Sequence, residues 1–368
     1  MIPMLYEQTY HGTGNTDRIG RLPAWIECEV TEERNGEFFL KGTLPAGAQN
    51  VDELAIDRII ECAPAPPRSG YAAVQPFRIR KLTKPPDANH VEVEAHHVSY
   101  QLSENIVKPA SVNFASAQDA MLWVFGRTSS GSRVVPPLHS AFGFHSDIEL
   151  SESVQYTQLN PITVRAALGG VEGSFLDLYG GEFDWDGWDV RLLGARGKFL
   201  DIPIAYAKNM ATLQFNTDAA GMINGYFGWG RWNSLYKDTG PIYKPDYTEW
   251  AYPRIEAVDL SNEFDDLPSD ADLAAALQAY ADAQNNYTLP TSITVTAVPS
   301  VLQDVHLCDT VTVIHPGYQI SQLAKVVKTV YDPIRERYTA VTIGEIQKGI
   351  TDTIARMLGG LEYDKLSI

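Results

Sequence analysis

The 368-residue sequence is short of cysteine, short of positive charge and without long apolar runs. Its three cysteines, Cys28, Cys62 and Cys308, are far apart and odd in number. They match no Cys-x-x-Cys or Cys/His spacing. That excludes a small disulfide scaffold and a zinc ribbon, and points to a reducing folding environment. Against 46 acidic residues there are 29 Lys and Arg, a formal net charge of −17. A duplex-DNA reader carries a basic face or stripe. None stands out, so no sequence-specific nucleic-acid partner is expected. No apolar run reaches the ~20 residues of a membrane-spanning helix. The start, "MIPMLYEQTYHG", has neither the basic nor the apolar part of a secretion signal. No membrane segment is expected.

Catalytic signatures are missing too. There is no H-E-x-x-H zinc helix and no G-x-S-x-G elbow. "GARGKF" lacks the first glycine and the Ser/Thr of a phosphate loop. No catalytic residue, cofactor or resident metal is expected.

What is present is an ordinary apolar fraction, 44%, on a chain too long for one typical core. The fold class expected is mainly β with α+β parts. Residues 1–102 read as a first small antiparallel β-barrel. "AWIECEVTEERNGEFFLKGTL" alternates on both sides of Asn35-Gly36, a strong hairpin signal. "VQPFRIRKLTKPPDANHVEVEAHHVSYQL" predicts a second hairpin. Residues 103–200 read as an α+β domain. In it a helix follows Ser116, a helix-start proline follows Asn160, and a hairpin turns at Asp186-Gly187. Residues 201–240 and 290–346 read as a second β-barrel, interrupted by an insertion at 241–289. That insertion holds a helix capped by Ser269. A C-terminal helix at 347–368 carries Ile350, Ile354, Met357 and Leu361 four, three and four apart. This is either a packed amphipathic face or a short oligomerising stem.

Three stretches could carry chemistry. In "VEVEAHHVSYQL" a strand places Val91, Val93, Ala95, His97 and Ser99 on one face. Glu92, Glu94, His96, Val98 and Tyr100 fall on the other. The two histidines therefore cannot share a metal. The trio Glu92, Glu94 and His96 could, although a solvated face is the alternative. Asp184, Asp186 and Asp189 resemble part of a calcium loop but lack its spacing and terminal Glu. Cys308 near His306 lacks an oriented base and reads as a small buried residue. A further segment, "GYFGWGRWNSLYKD", offers Trp229, Trp232 and Tyr236. They are candidates for a protein interface or a sugar-stacking surface, with core packing as the alternative.

Taken in order, the motifs resemble a known family. They are "LAIDRIIE", "VQPFRIRKLTK", "VEVEAHHVSYQL", "GGEFDWDGWDVRLLGARGKFLDIPIAYAKNM", "LCDTVTVIHPGY" and "AKVVKTVYDPIRERYTAVTIGE". They resemble the N-terminal structural region of phage tail tip proteins, the prophage endopeptidase tail or phage minor structural protein family, from about Trp25 to Glu345. The resemblance implies a baseplate-hub-like fold and a homotrimer at the virion tail tip, assembled in the bacterial cytoplasm. It implies as partners the distal tail protein ring, the tape-measure protein and receptor-binding or fibre proteins. Peptidase activity in this family lies in C-terminal extensions. The chain stops at Ile368, shortly after the structural region, so no catalysis is expected. A tail-associated peptidoglycan endopeptidase and a host-surface adhesin are the alternatives.

Overall fold

The structure is a computed structural model. It describes residues 1–344 apart from 13–15, 71, 86–88, 129–130, 206–207, 209, 218–221, 245–247, 249, 285–290, 298–303 and 316–319. The chain divides into two compact units. One comprises 1–214 and 293–344, the other 215–292 and 345–368.

The first unit is built on a single 13-stranded sheet. Its N-terminal strands are β1 (Met4–Tyr6), β2 (Arg18–Arg21), β3 (Glu27–Glu33), β4 (Phe38–Pro45), β5 (Ile59–Cys62), β6 (Gln75–Thr83) and β7 (His90–His97). The spatial order is β3-β4-β7-β6-β5-β1-β2. The Asn35-Gly36 turn joins β3 to β4 as expected, with Asn35 at φ 56°. Asparagine tolerates that left-handed conformation better than most residues. Alternation along β7 puts Val91, Val93, Ala95 and His97 into the core, while Glu92 is exposed and Glu94 and His96 are half-buried.

The expected two separate barrels do not form. Among the described residues neither β-rich part closes, and one sheet runs through both. The long strand Ile320–Asp332 pairs antiparallel with β3, from Lys328 opposite Glu33 to Tyr331 opposite Val30. The same strand pairs with Thr310–His315 and with Arg337–Gly344. The reason is physical. Period-2 alternation specifies a strand and its faces but not its partner, and β3 keeps a free edge once β4 is paired. The N-terminal part does curl. Cys28 on β3 and Cys62 on β5 have three strands between them in the ladder, yet both are buried in the same core cluster.

A second correction concerns the end of β7. The strand stops at His97, and Val98–Ser103 forms a 3-10 helix. The His97 ring turns the chain itself, because its Nδ1 accepts the Ser99 backbone N–H at 3.3 Å. Val98 and Ser99 are therefore both buried, not on opposite faces.

Three short helices pack against the segment 110–193. Helix α1 (Ala117–Phe125) is capped by Ser116 as expected, its Oγ accepting from the Asp119 N–H. Helix α2 (Val164–Leu168) is capped by Thr163, so the helix begins later than Pro161 suggested. Helix α3 (Phe175–Tyr179) is capped by Ser174. Each cap satisfies an N–H that the first turn leaves orphaned.

The second unit has its own four-stranded sheet, centred on Gly225–Trp232. Leu235–Asp238 and Ile242–Tyr243 pair antiparallel to that strand, and Ile255–Asp259 pairs parallel. Helix α4 (Asp270–Ala283) covers one face with Leu273, Leu277 and Ala281, spaced four apart. Ser269 caps it, with Asp270 and Asp272 in the first turn where the helix dipole favours negative charge. Lys244 reaches the other end and donates to the Ala281 carbonyl.

Candidate functional site

The motifs that carried the family resemblance converge on one buried, charged joint inside the first unit. Its centre is Arg196. The guanidinium Nη1 lies 2.7 Å from Glu32 Oε1 on β3, and Nε lies 3.0 Å from Asp184 Oδ1. Nη1 also donates to the Phe183 carbonyl. Burial alone would lower the Arg196 pKa, but Glu32 and Asp184 outweigh it and hold the cation firmly charged.

Glu182 is the second node and is almost fully buried. One oxygen takes Lys325 at 2.6 Å and Arg34 at 3.0 Å. The other accepts the Arg196 backbone N–H at 2.9 Å. Burial would raise this carboxyl, yet Lys325, the Arg196 amide and Arg34 together hold it below its usual range. Asp309 is the third node. Its Oδ2 takes Arg68 Nη1 at 2.6 Å and the His306 N–H at 2.8 Å, and its Oδ1 takes the Lys198 N–H at 2.8 Å. Buried charges survive when paired and hydrogen-bonded in this way.

Gly197 lets the chain pass. A side chain there would collide with the Cys308 carbonyl. So the Arg-Gly pair has two jobs: the arginine fills the ion cluster and the glycine allows the backbones to touch. Asn35 ties the hairpin to the same place. Its Oδ1 accepts the Phe183 N–H at 2.8 Å, and its Nδ2 donates to the Gly181 carbonyl at 3.1 Å. Arg165 donates to the Gly36 carbonyl and to Ser99 Oγ, lying 4.1 Å over Tyr100 and 4.8 Å over Trp185. In "YDP", Asp332 Oδ1 accepts the N–H groups of Ile334 and Arg335 and fixes the turn after the long strand.

His97 stands at the edge of this joint. It is fully buried and stacks on Phe38 at 4.5 Å. Since Nδ1 accepts from Ser99, Nε2 donates to Gln75 Oε1 at 3.2 Å. Burial, then Arg165 and Arg196, pushes its pKa well below the usual value. His96 instead faces Glu94 at 3.2 Å. The two histidines are thus separated as strand geometry requires.

The geometry suits rigid connection rather than turnover. Cys308 is buried and its thiol is pushed up to about 12, far from a thiolate nucleophile. His306 is pushed down to about 4 by burial, with Arg68 and Arg196 adding. The cavity beside Glu32, Asp184, Arg196 and His306 measures about 30 Å³, room for a water or two. Asp184, Asp186 and Asp189 surround a cation, but it is Arg191, 3.4, 2.6 and 3.7 Å from them. The described residues contain no group of three His, Cys, Asp or Glu arranged to hold a metal.

The aromatic candidates separate. Trp232 is buried against α4, and its Nε1 donates to the Phe264 carbonyl at 3.0 Å. It is a core residue of the second unit and not available as a surface. Trp229 and Tyr236 lie on the sheet face away from α4, their rings 6.4 Å apart and 23° from parallel. Tyr236 is 53% exposed. Ile350, Ile354, Met357 and Leu361 lie outside the described residues. Sequence reasoning missed the joint's ion pairs. The signal for them was that Glu182, Asp184, Arg196, Asp309, Lys325 and Asp332 sat inside the quoted motifs.

Comparison with known proteins bears on the whole chain. No curated protein matches it. Among solved structures it is similar to prophage tail protein gp18 from Listeria monocytogenes EGD-e, at 15% identity and a TM-score of 0.54, over 98% of this chain and 100% of that one. It is similar to the 43 kDa tail protein of prophage MuSo2 from Shewanella oneidensis, at 9% identity and a TM-score of 0.55, over 96% and 99%. It is also similar to a tail protein from Neisseria meningitidis MC58, at 11% identity and a TM-score of 0.52, over 93% and 96%. Residues 201–354 match the family model described as prophage endopeptidase tail. The sequence motifs and the comparisons thus agree: 201–354 carry the prophage endopeptidase tail signature, on a fold shared along nearly the whole chain with solved phage tail proteins.

Proposed function

We propose that this chain is a structural component of the phage tail tip, a baseplate hub. It acts as a homotrimer that closes the tail tube and links the distal tail ring to distal host-recognition parts. It opens for DNA passage. The observation that carries this reading is the tail-protein fold extending over almost the full length of the chain. The buried joint supports it mechanically. Its ion pairs link β3, the hairpin 182–193 and the C-terminal strands, which a load-transmitting part requires. The net charge of −17 would let carboxylates line a lumen that repels DNA.

Light scattering on the full chain tests the assembly. The expected mass is three times 40.7 kDa, with binding to the distal tail protein. A strict monomer at tens of micromolar that also fails to bind that protein sinks the hub reading. The reading includes no catalysis. A zymogram on host cell walls, with and without chelator, checks it, and clearing lost on mutating His97 would replace it with an endopeptidase.

A second reading draws on the stacked, outward Trp229–Tyr236 pair: contact with a fibre protein or a host saccharide. Glycan or fibre binding that Trp229→Ala abolishes favours it, and unchanged binding removes it.

A further inference from the structure

Carboxylates outnumber cations in this chain, and several partly buried arginines are ion-paired, as at Arg68, Arg191 and Arg196. Arg165 in the first unit and Arg254 in the second have no acidic partner among the described residues, but Arg165 donates to the Gly36 carbonyl and to Ser99 Oγ. The Arg254 backbone N–H donates to Asn224 Oδ1 at 2.6 Å, and the Asn224 N–H donates to the Arg254 carbonyl at 3.0 Å. The guanidinium lies 4.4 Å over the Tyr252 ring and 5.9 Å from the centre of Trp250. Nη2 donates to the Tyr252 hydroxyl at 3.3 Å.

Among the described residues of the second unit, three buried donors have no acceptor: Arg254 Nη1, Asn224 Nδ2 and Trp250 Nε1. Asn224 is itself 0% exposed. Such donors are costly to bury unmatched, the charged one most of all. All three are donors, so whatever satisfies them must be an acceptor. A guanidinium fixed between aromatic faces presents a flat fork that matches two oxygens of one group.

We propose that Asn224, Trp250, Tyr252 and Arg254 form a binding site for a small oxyanion, a phosphate or carboxylate group. Tyr252 is its cover. That side chain is 58% exposed and is tied to Arg254 by stacking and one long hydrogen bond, so rotating it outward admits the ligand. The net charge of −17 disfavours a long polyanion and leaves a single oxyanion group as the occupant.

The test titrates the full chain with sodium phosphate and, separately, with sodium acetate. Ionic strength is held with chloride, and calorimetry and tryptophan fluorescence are read. Saturable phosphate binding is expected, weakened about tenfold or more in Arg254→Gln and unchanged in the exposed Arg231→Gln. Saturation by phosphate alone assigns a phosphate ester, and saturation by acetate assigns a carboxylate. No saturation by either, or equal binding by Arg254→Gln and the parent, overturns the site. Should Arg254→Gln fail to fold, Trp250→Phe removes the indole N–H while keeping an aromatic ring at that position. Weakened phosphate binding then supports the site, and unchanged binding overturns it.

Discussion

Arg196 Nη1 and Glu32 Oε1 sit 2.7 Å apart, with both side chains withdrawn from solvent, although the residues are 164 positions apart in sequence. Asp184 closes the other side of the guanidinium. Arg196→Met keeps much of the volume, takes the cation from buried Glu32 and leaves Asp184 to Arg191. The expected loss is about 3–5 kcal/mol, read as a lower urea midpoint. Adding Glu32→Gln to Arg196→Met should recover part of that loss. A double variant as unstable as the sum of the two singles would show that the pair is not coupled.

Gly197→Ala should destabilise the joint without removing any hydrogen-bonding group. The added methyl meets the Cys308 carbonyl, which is backbone and cannot swing aside. The expected cost is about 1–3 kcal/mol, with slower proteolysis of the parent than of the variant. Gly47→Ala, with open space around it, is the control and should be nearly neutral.

Acid should weaken the first unit. His97 and His306 are both held neutral by burial, and His306 drops from 6.5 to about 4. A histidine with a depressed folded value takes its proton more readily when unfolded. Below about 6.5 the unfolded chain therefore binds more protons, and stability falls as pH falls towards about 4. Glu182 acts in the same direction lower down. Its folded value lies below 4.5, so its contribution is full above 4.5 and is lost beneath it. Urea midpoints should be lower at about pH 5 than at about pH 7.5, and His306→Gln should flatten that difference.

Trp232 and Tyr236 should behave as opposites. Trp232→Ala empties a core position under α4 and is expected to cost about 3–5 kcal/mol. Tyr236→Ala touches an exposed ring and should change stability by no more than about 0.5 kcal/mol. Thermal melts of the two variants check this, and a stability loss for Tyr236→Ala matching that of Trp232→Ala would contradict the burial pattern.

Local features were legible in the sequence because local chemistry makes them. Asn35-Gly36 turned where the dipeptide demands it, Ser116 and Ser269 capped their helices, and β7 alternated as read. What was not legible depends on partners far along the chain. Alternation in 320–332 announced a strand, yet nothing in it named β3 as neighbour, and two barrels were expected where one sheet runs. Likewise, Asp184, Asp186 and Asp189 looked like ligands for an ion until Arg191, opposite Asp184 in the hairpin register, supplied the charge. Trp232 and Tyr236 sit four residues apart in one aromatic run. Only the sheet's two faces decide that one is core and the other surface.

The pairing of β3 with the strand 320–332 also sets an order of events in synthesis. Glu33 and Lys328 are 295 positions apart, so one edge of β3 stays open until the strand 320–332 has left the ribosome. Contacts of such long range slow folding, and an open edge invites pairing with other nascent chains. Chain termination before residue 320 would leave that edge unmatched. The late strand thus acts as a checkpoint, and only a polypeptide made past residue 332 can hide the edge on which its neighbours would otherwise stack.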